Sequence, residues 1–191
     1  MDACPSLASL IGELREIWRT VPDIEARMTR AKPVLERVIR DETFKERTRA
    51  WPLTPGQNLL FYEDPDFGFV LNGTVRQPGS PEMPHDHAHS WTVYGIVEGT
   101  ESMQRYERLD KNGAQSGQAE LKLISVKAGH AGDVDLVEPY DIHFEAPGPT
   151  RSSALILRSE RLVGRTPQRL FNLKTKTVVE GSGPKQVPYS F

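Results

Sequence analysis

The sequence holds one cysteine in 191 residues, Cys4, so an internal disulfide is excluded. A single unpaired thiol fits a reducing compartment, and a cytoplasmic location is the expectation. No basic residue or histidine stands near Cys4 in the chain, so no reactive role is expected of it. Long apolar runs are also missing; none approaches the roughly 20 residues of a membrane span. The first 16 residues lack a basic stretch followed by an apolar core, and a secretory signal is not expected there. Charge of one sign is scarce too. Lys and Arg number 24 against 26 Asp and Glu, for a formal net charge of −2, and the basic residues are scattered. That pattern speaks against binding to nucleic acid or to an anionic membrane. There is no internal repeat. Hydrophobic residues make up 37% and charged residues 26%, which suits one globular domain and is too little chain for two.

What is present divides the chain into three parts. Residues 1–50 read as a helical section. Leu7, Leu10, Ile11, Leu14, Ile17 and Trp18 recur at helical spacing. Thr20 is a plausible cap for a second helix burying Ile24, Met28 and Ala31, and Pro33 either kinks it or starts another. A short charged helix follows from Asp41 to about Arg49. The prolines and glycine of Trp51-Pro52-Leu53-Thr54-Pro55-Gly56 end this section. From 51 to 180 come short segments rich in β-branched and aromatic residues. They are 58–62, 67–76, 91–97, 102–108, 120–126, 133–137, 142–145, 153–158 and 168–173. Asp64-Pro65-Asp66 and Lys111-Asn112-Gly113 supply turn chemistry between them. Many short strands so spaced predict a mainly β sandwich or barrel. Residues 181–191 are expected to lie as an extended tail over the surface.

Three of the five histidines crowd into Pro84-His85-Asp86-His87-Ala88-His89. Alternate residues of an extended strand share a face, so His85 and His87 can grip one ion at roughly 2.0–2.2 Å. Two imidazoles make a weak site, and the best third donor is His143, which opens a strand after Gly132 and Pro139. The bland reading is a solvated edge that binds metal adventitiously. His130, between glycines, is expected to be a plain loop residue. His89 is a candidate for a role beside the ligands. Asp86 and Asp141 are expected to fix turns.

Two stretches resemble the paired motifs of the cupin superfamily. Gly79-Ser80-Pro81-Glu82-Met83-Pro84-His85-Asp86-His87 with Trp91 to Gly99 resembles the first. Gly132-Asp133 through Pro139 to His143 resembles the second. Within cupins the chain is most similar to the thiol dioxygenases, the cysteine and 3-mercaptopropionate dioxygenase group. The helical section, Tyr62 to Phe67, Pro-His-Asp-His and Asp141-Ile142-His143 carry that similarity. The resemblance implies a double-stranded β-helix (jelly-roll) barrel, a homodimer by strand exchange, and a metal held by His85, His87 and His143. Iron(II) is the first expectation, with nickel, manganese or zinc as alternatives. Thr92 stands where many cupins place a glutamate ligand, so the implied site is three neutral histidines without a carboxylate.

Other features depart from the group. Its late-strand Ser-x-His-x-Tyr run is absent: matched from Ser153 the positions hold Leu155 and Leu157, and shifted by one they hold Ile156 and Arg158. No arginine on the first strand offers to bind a substrate carboxylate; Arg76 or Arg158 are the replacements available. Tyr94 and Tyr140 are candidate catalytic residues alongside His89, and Trp91 is a pocket or packing residue. The expected function is a non-haem iron dioxygenase acting with O₂ on a small organic anion, a thiol or an enolate. The alternatives are a metal-dependent isomerase or lyase, or a non-catalytic binding protein.

Overall fold

The computed structural model describes residues 4–79, 83–110 and 113–190. Lys111-Asn112 of the expected turn, and Ser80-Pro81-Glu82 of the first motif, lie outside them. Helix α1 (Pro5–Thr20) begins with proline at its first position and buries Leu7, Leu10, Leu14 and Trp18. Thr20 does not cap the next helix. Its hydroxyl donates to the Glu16 carbonyl at 2.7 Å, closing α1. Asp23 is the cap, accepting from the Ala26 N–H at 2.8 Å and so satisfying a free donor of the first turn. Helix α2 (Ile24–Ile39) runs through Pro33 without restarting. The lost hydrogen bond costs about 3 kcal/mol. Burial of Met28, Ala31, Val34, Leu35, Val38 and Ile39 outweighs it, at about 1.5–3 kcal/mol per large side chain. Helix α3 (Glu42–Thr48) is capped by Asp41.

Twelve strands follow among the described residues: β1 (Gln57–Glu63), β2 (Val70–Arg76), β3 (Thr92–Glu98), β4 (Thr100–Arg108), β5 (Gly117–Gln118), β6 (Leu121–His130), β7 (Val134–Val137), β8 (Ile142–Pro147), β9 (Ser152–Arg158), β10 (Gln168–Asn172), β11 (Thr177–Gly181) and β12 (Lys185–Pro188). They form a six-stranded sheet in the order β12-β1-β2-β9-β3-β7 and two three-stranded sheets, β6-β4-β8 and β10-β11-β5. His85 bridges to His143 of β8 on one side and Leu170 of β10 on the other. Two four-stranded layers result: β2-β9-β3-β7, and the His85 segment followed by β8, β4 and β6. A late strand between two early ones, in two layers of four, is the winding of a jelly roll. The fold is therefore mainly β with an N-terminal helical section. The expected surface tail is corrected: Lys185–Pro188 pairs in parallel with Gln57–Leu60 and forms one edge of the large sheet.

The helices cover the outer face of that sheet. Leu71, Val93, Leu155 and Leu157 meet Leu10, Leu14, Leu35 and Ile39 in one core. The approach is close enough to require glycine at Gly95, where a Cβ would stand 2.5 Å from Leu35 Cδ2 and 3.0 Å from Ile39 Cδ1. Because side chains alternate along a strand, this outer packing of Leu155 and Leu157 turns Ala154, Ile156 and Arg158 inward. Among the described residues no helix is long and apolar enough to cross a membrane.

Candidate metal centre

The inner face of the large sheet, β8, and the β10–β11 hairpin enclose a cavity of about 630 Å³. His85 and His87 line it. His143 stands behind them, fully buried. A nitrogen from each of the three imidazoles lies within 4.8 Å of the other two. Ring centroids are 4.5 Å apart for His85–His143, 4.6 Å for His87–His143 and 5.1 Å for His85–His87. The backbone sets this arrangement. His85 N–H donates to the His143 carbonyl and His143 N–H to the His85 carbonyl, both at 2.9 Å, so two distant segments are joined as a ladder pair.

Each ring is also held from behind. His85 Nδ1 is 3.1 Å from the Met83 carbonyl, His143 Nδ1 is 2.9 Å from the Asp141 carbonyl, and His87 Nδ1 is 2.9 Å from Thr92 Oγ1. A carbonyl can only accept, so Nδ1 carries a proton in His85 and His143, and in the neutral ring the lone pair left free is that of Nε2. Burial lowers the His85 pKa to about 4, with the neighbouring His143 adding to the effect. Burial, then Arg158 and the other two histidines, hold His87 well below the ordinary range. Both rings are therefore neutral near pH 7, the state in which imidazole ligates a metal.

The cluster whose ligand atoms converge is the three histidines without a carboxylate, and one carboxylate stands beside it. Glu145, two residues after His143 on β8 and so on the same face, places Oε1 3.2 Å from His143 Nε2. His143 Nε2 is sealed from solvent and makes no hydrogen bond. The contact is favourable with a proton on Nε2, as an imidazolium–carboxylate pair, or with another positive charge set against both groups. A divalent cation at the meeting point of the three Nε2 atoms supplies such a charge, so the donor set fits a transition metal. Burial by itself would raise the Glu145 pKa, but His143 and Arg76 outweigh it and keep the carboxyl below its usual range. Arg76 Nη2 lies 3.6 Å from Glu145 and Arg76 Nη1 3.8 Å from Glu101.

The other candidate residues separate into two groups. Tyr94 faces the cavity, accepts from Arg76, and donates its hydroxyl hydrogen to Glu101 at 2.8 Å. Burial raises its pKa well above the usual value, so it stays a neutral phenol. Tyr140 and His89 do not reach the cavity. Tyr140 is 56% exposed with φ +63°, and its ring lies under the Arg169 guanidinium at 5.6 Å. His89 pairs with Glu160 at 3.0 Å on the outside. The reason is Ala88, whose φ of +47° ends the alternation that would have set His89 beside His87. Trp91 packs in the helix-facing core. Asp86 accepts from the N–H groups of Ala88 and Arg169 and from the Arg169 side chain, pinning the ligand segment to β10. His130 is exposed at the end of β6.

Two residues that sequence reasoning had left open or passed over also face the cavity. Arg158 is buried, and burial lowers its pKa to about 10, partly offset by Glu145. Gln168, on β10, is 1% exposed.

No family model matches the chain, and no curated protein matches it. Among solved structures, an uncharacterised conserved protein with a double-stranded β-helix domain from Klebsiella pneumoniae is 18% identical. That alignment covers 64% of this chain and 90% of the other, with a TM-score of 0.42. Oxalate oxidase in complex with glycolate is 17% identical over 59% of this chain and 60% of its own, with a TM-score of 0.42. Peruvianin-I, a cysteine peptidase from Thevetia peruviana latex, is 19% identical over 49% of this chain and 51% of its own, with a TM-score of 0.37. The chain thus spans less than two thirds of the length of the last two, and likenesses this distant carry no argument about what it does.

Proposed function

We propose that the protein is a metal-dependent dioxygenase of the thiol dioxygenase-like type, using non-haem iron(II) and O₂ on a small organic anion. One observation carries this reading: three imidazoles converge at the wall of a 630 Å³ cavity large enough to admit a substrate. Iron(II), when bound, supplies open coordination positions and one-electron chemistry toward oxygen. His85, His87 and His143 would hold it. Thr92 and the two backbone carbonyls fix the ring orientations. Arg76 sets its positive charge against Glu145 and Glu101, and Tyr94 fixes Arg76 in place. Arg158 offers positive charge to an anionic substrate. Ile156 and Leu170 give the cavity wall its apolar surface.

The test is oxygen uptake by iron-loaded protein against a panel of thiols and 1,3-diketones, with ¹⁸O₂ and mass analysis of the product. Incorporated ¹⁸O is the expected result. Turnover without oxygen consumption would replace the proposal with a Lewis-acid isomerase or lyase. Binding without turnover across the panel would leave a binding protein.

A further inference from the structure

Two side chains in the cavity wall carry buried donors that have no acceptor. Arg158 is 3% exposed, and its Nε and Nη1 are sealed from solvent without a hydrogen bond. Gln168 is 1% exposed, and its Nε2 is in the same condition. Both side chains line the cavity. The contrast with Arg76 is informative. Arg76 faces two carboxylates and a phenol, whereas Arg158 forms no ion pair among the described residues. A guanidinium left unpaired inside a protein is strongly unfavourable, and an anion that completes it is correspondingly well bound. The planar fork of guanidinium donors matches a carboxylate.

The rest of the wall is of another kind. Leu53, Met83, Ile156 and Leu170 supply apolar surface around the same space. A volume of about 630 Å³ lies in the range that encloses ligands of drug size and far exceeds a two- or three-carbon acid. We propose that the substrate is an amphipathic monocarboxylate, its carboxylate held by Arg158 and Gln168 and its hydrocarbon body lying against Leu53, Met83, Ile156 and Leu170. This rests on reading the cavity as the substrate chamber of the metal centre, and it narrows that reading to acids with a sizeable apolar part.

The probes are acetate, hexanoate, hexanamide and hexylamine, titrated calorimetrically into the full-length protein with and without its metal. Each buried methylene strengthens binding about fourfold, so hexanoate, with four more than acetate, should bind roughly 250-fold more tightly. Hexanamide should bind about 10- to 100-fold more weakly than hexanoate, and hexylamine more weakly still. Arg158→Met should weaken hexanoate by about 10- to 100-fold. Leu170→Trp should weaken hexanoate and leave acetate unchanged. Equal binding of hexanoate and hexanamide to the unaltered protein would overturn the proposal without recourse to any variant, even if Arg158→Met fails to fold. Hexanoate binding that survives Arg158→Met and disappears on chelation would place the carboxylate on the metal, overturning the proposal and leaving the metal reading intact. Hexanoate binding that needs Arg158 in a protein whose histidines take up no metal supports the carboxylate site and sinks the metal reading alone.

Discussion

The two faces of the six-stranded sheet come from the same residues in alternation, yet they are built to opposite rules. Outward, Leu71, Val93, Leu155 and Leu157 fit the helices so closely that Gly95 cannot carry a side chain. Inward, Asn72, Thr74, Arg76, Thr92, Tyr94 and Arg158 are buried polar groups, most of them beside a cavity. Packing holds the outer face; hydrogen bonds and charge hold the inner one. The outer face therefore carries stability, and the inner face holds groups that a stable core would not choose.

Variants on each face should separate these properties. The largest effect is expected on the inner side. His143→Ala removes one of three imidazoles and should lower metal affinity by more than the roughly 100-fold typical of outer-sphere changes, measured by competition with a chromophoric chelator. On the outer side, Leu155→Ala should cost about 2–5 kcal/mol in urea unfolding while leaving metal affinity unchanged. A parallel loss of metal binding would show that the two faces are not independent. Acid should act on the inner face through its histidines. His85 titrates near 4 in the fold against 6.5 when free, and His87 is shifted in the same direction. The unfolded chain therefore takes up protons first. Stability is complete above about pH 7.5 and falls as pH drops toward 4, by about 3 kcal/mol from His85 alone, seen as a falling melting temperature of the metal-free protein. Thr92→Val takes the partner from His87 Nδ1 and should weaken metal binding about 10- to 100-fold with little change in stability. His89→Ala, outside both faces, should change neither property measurably. An effect on metal affinity as large as that of Thr92→Val would mean that His89 swings inward in solution.

The helices and nine of the strands were legible because their apolar periods are strong. β5, β11 and β12 were not, since two to five residues carry too little pattern to mark a strand. The continuity of α2 was hidden because tertiary packing overrides Pro33. At the site, the pairing of His85 with His87 followed from strand alternation, and His143 from the motif resemblance. The same alternation misplaced His89, because nothing in the identity of Ala88 announces a left-handed backbone. Glu145 was readable in principle, standing two residues from His143 on one strand. It was missed because the family pattern directed attention to Thr92. The direction of Arg158 was not readable at all. Ser153 to Leu157 is apolar at nearly every position, so only the helix layer decides which side chains turn inward.

The reciprocal hydrogen bonds between His85 and His143 bear on how an ion would arrive. Main-chain bonds, not the ion, bring these two rings together. The architecture is thus set beforehand, unlike that of small domains that collapse only around their zinc. Loading should behave as the filling of a rigid socket, its rate set by how quickly the ion sheds water, and stripping the ion should leave the protein's circular dichroism spectrum as it was.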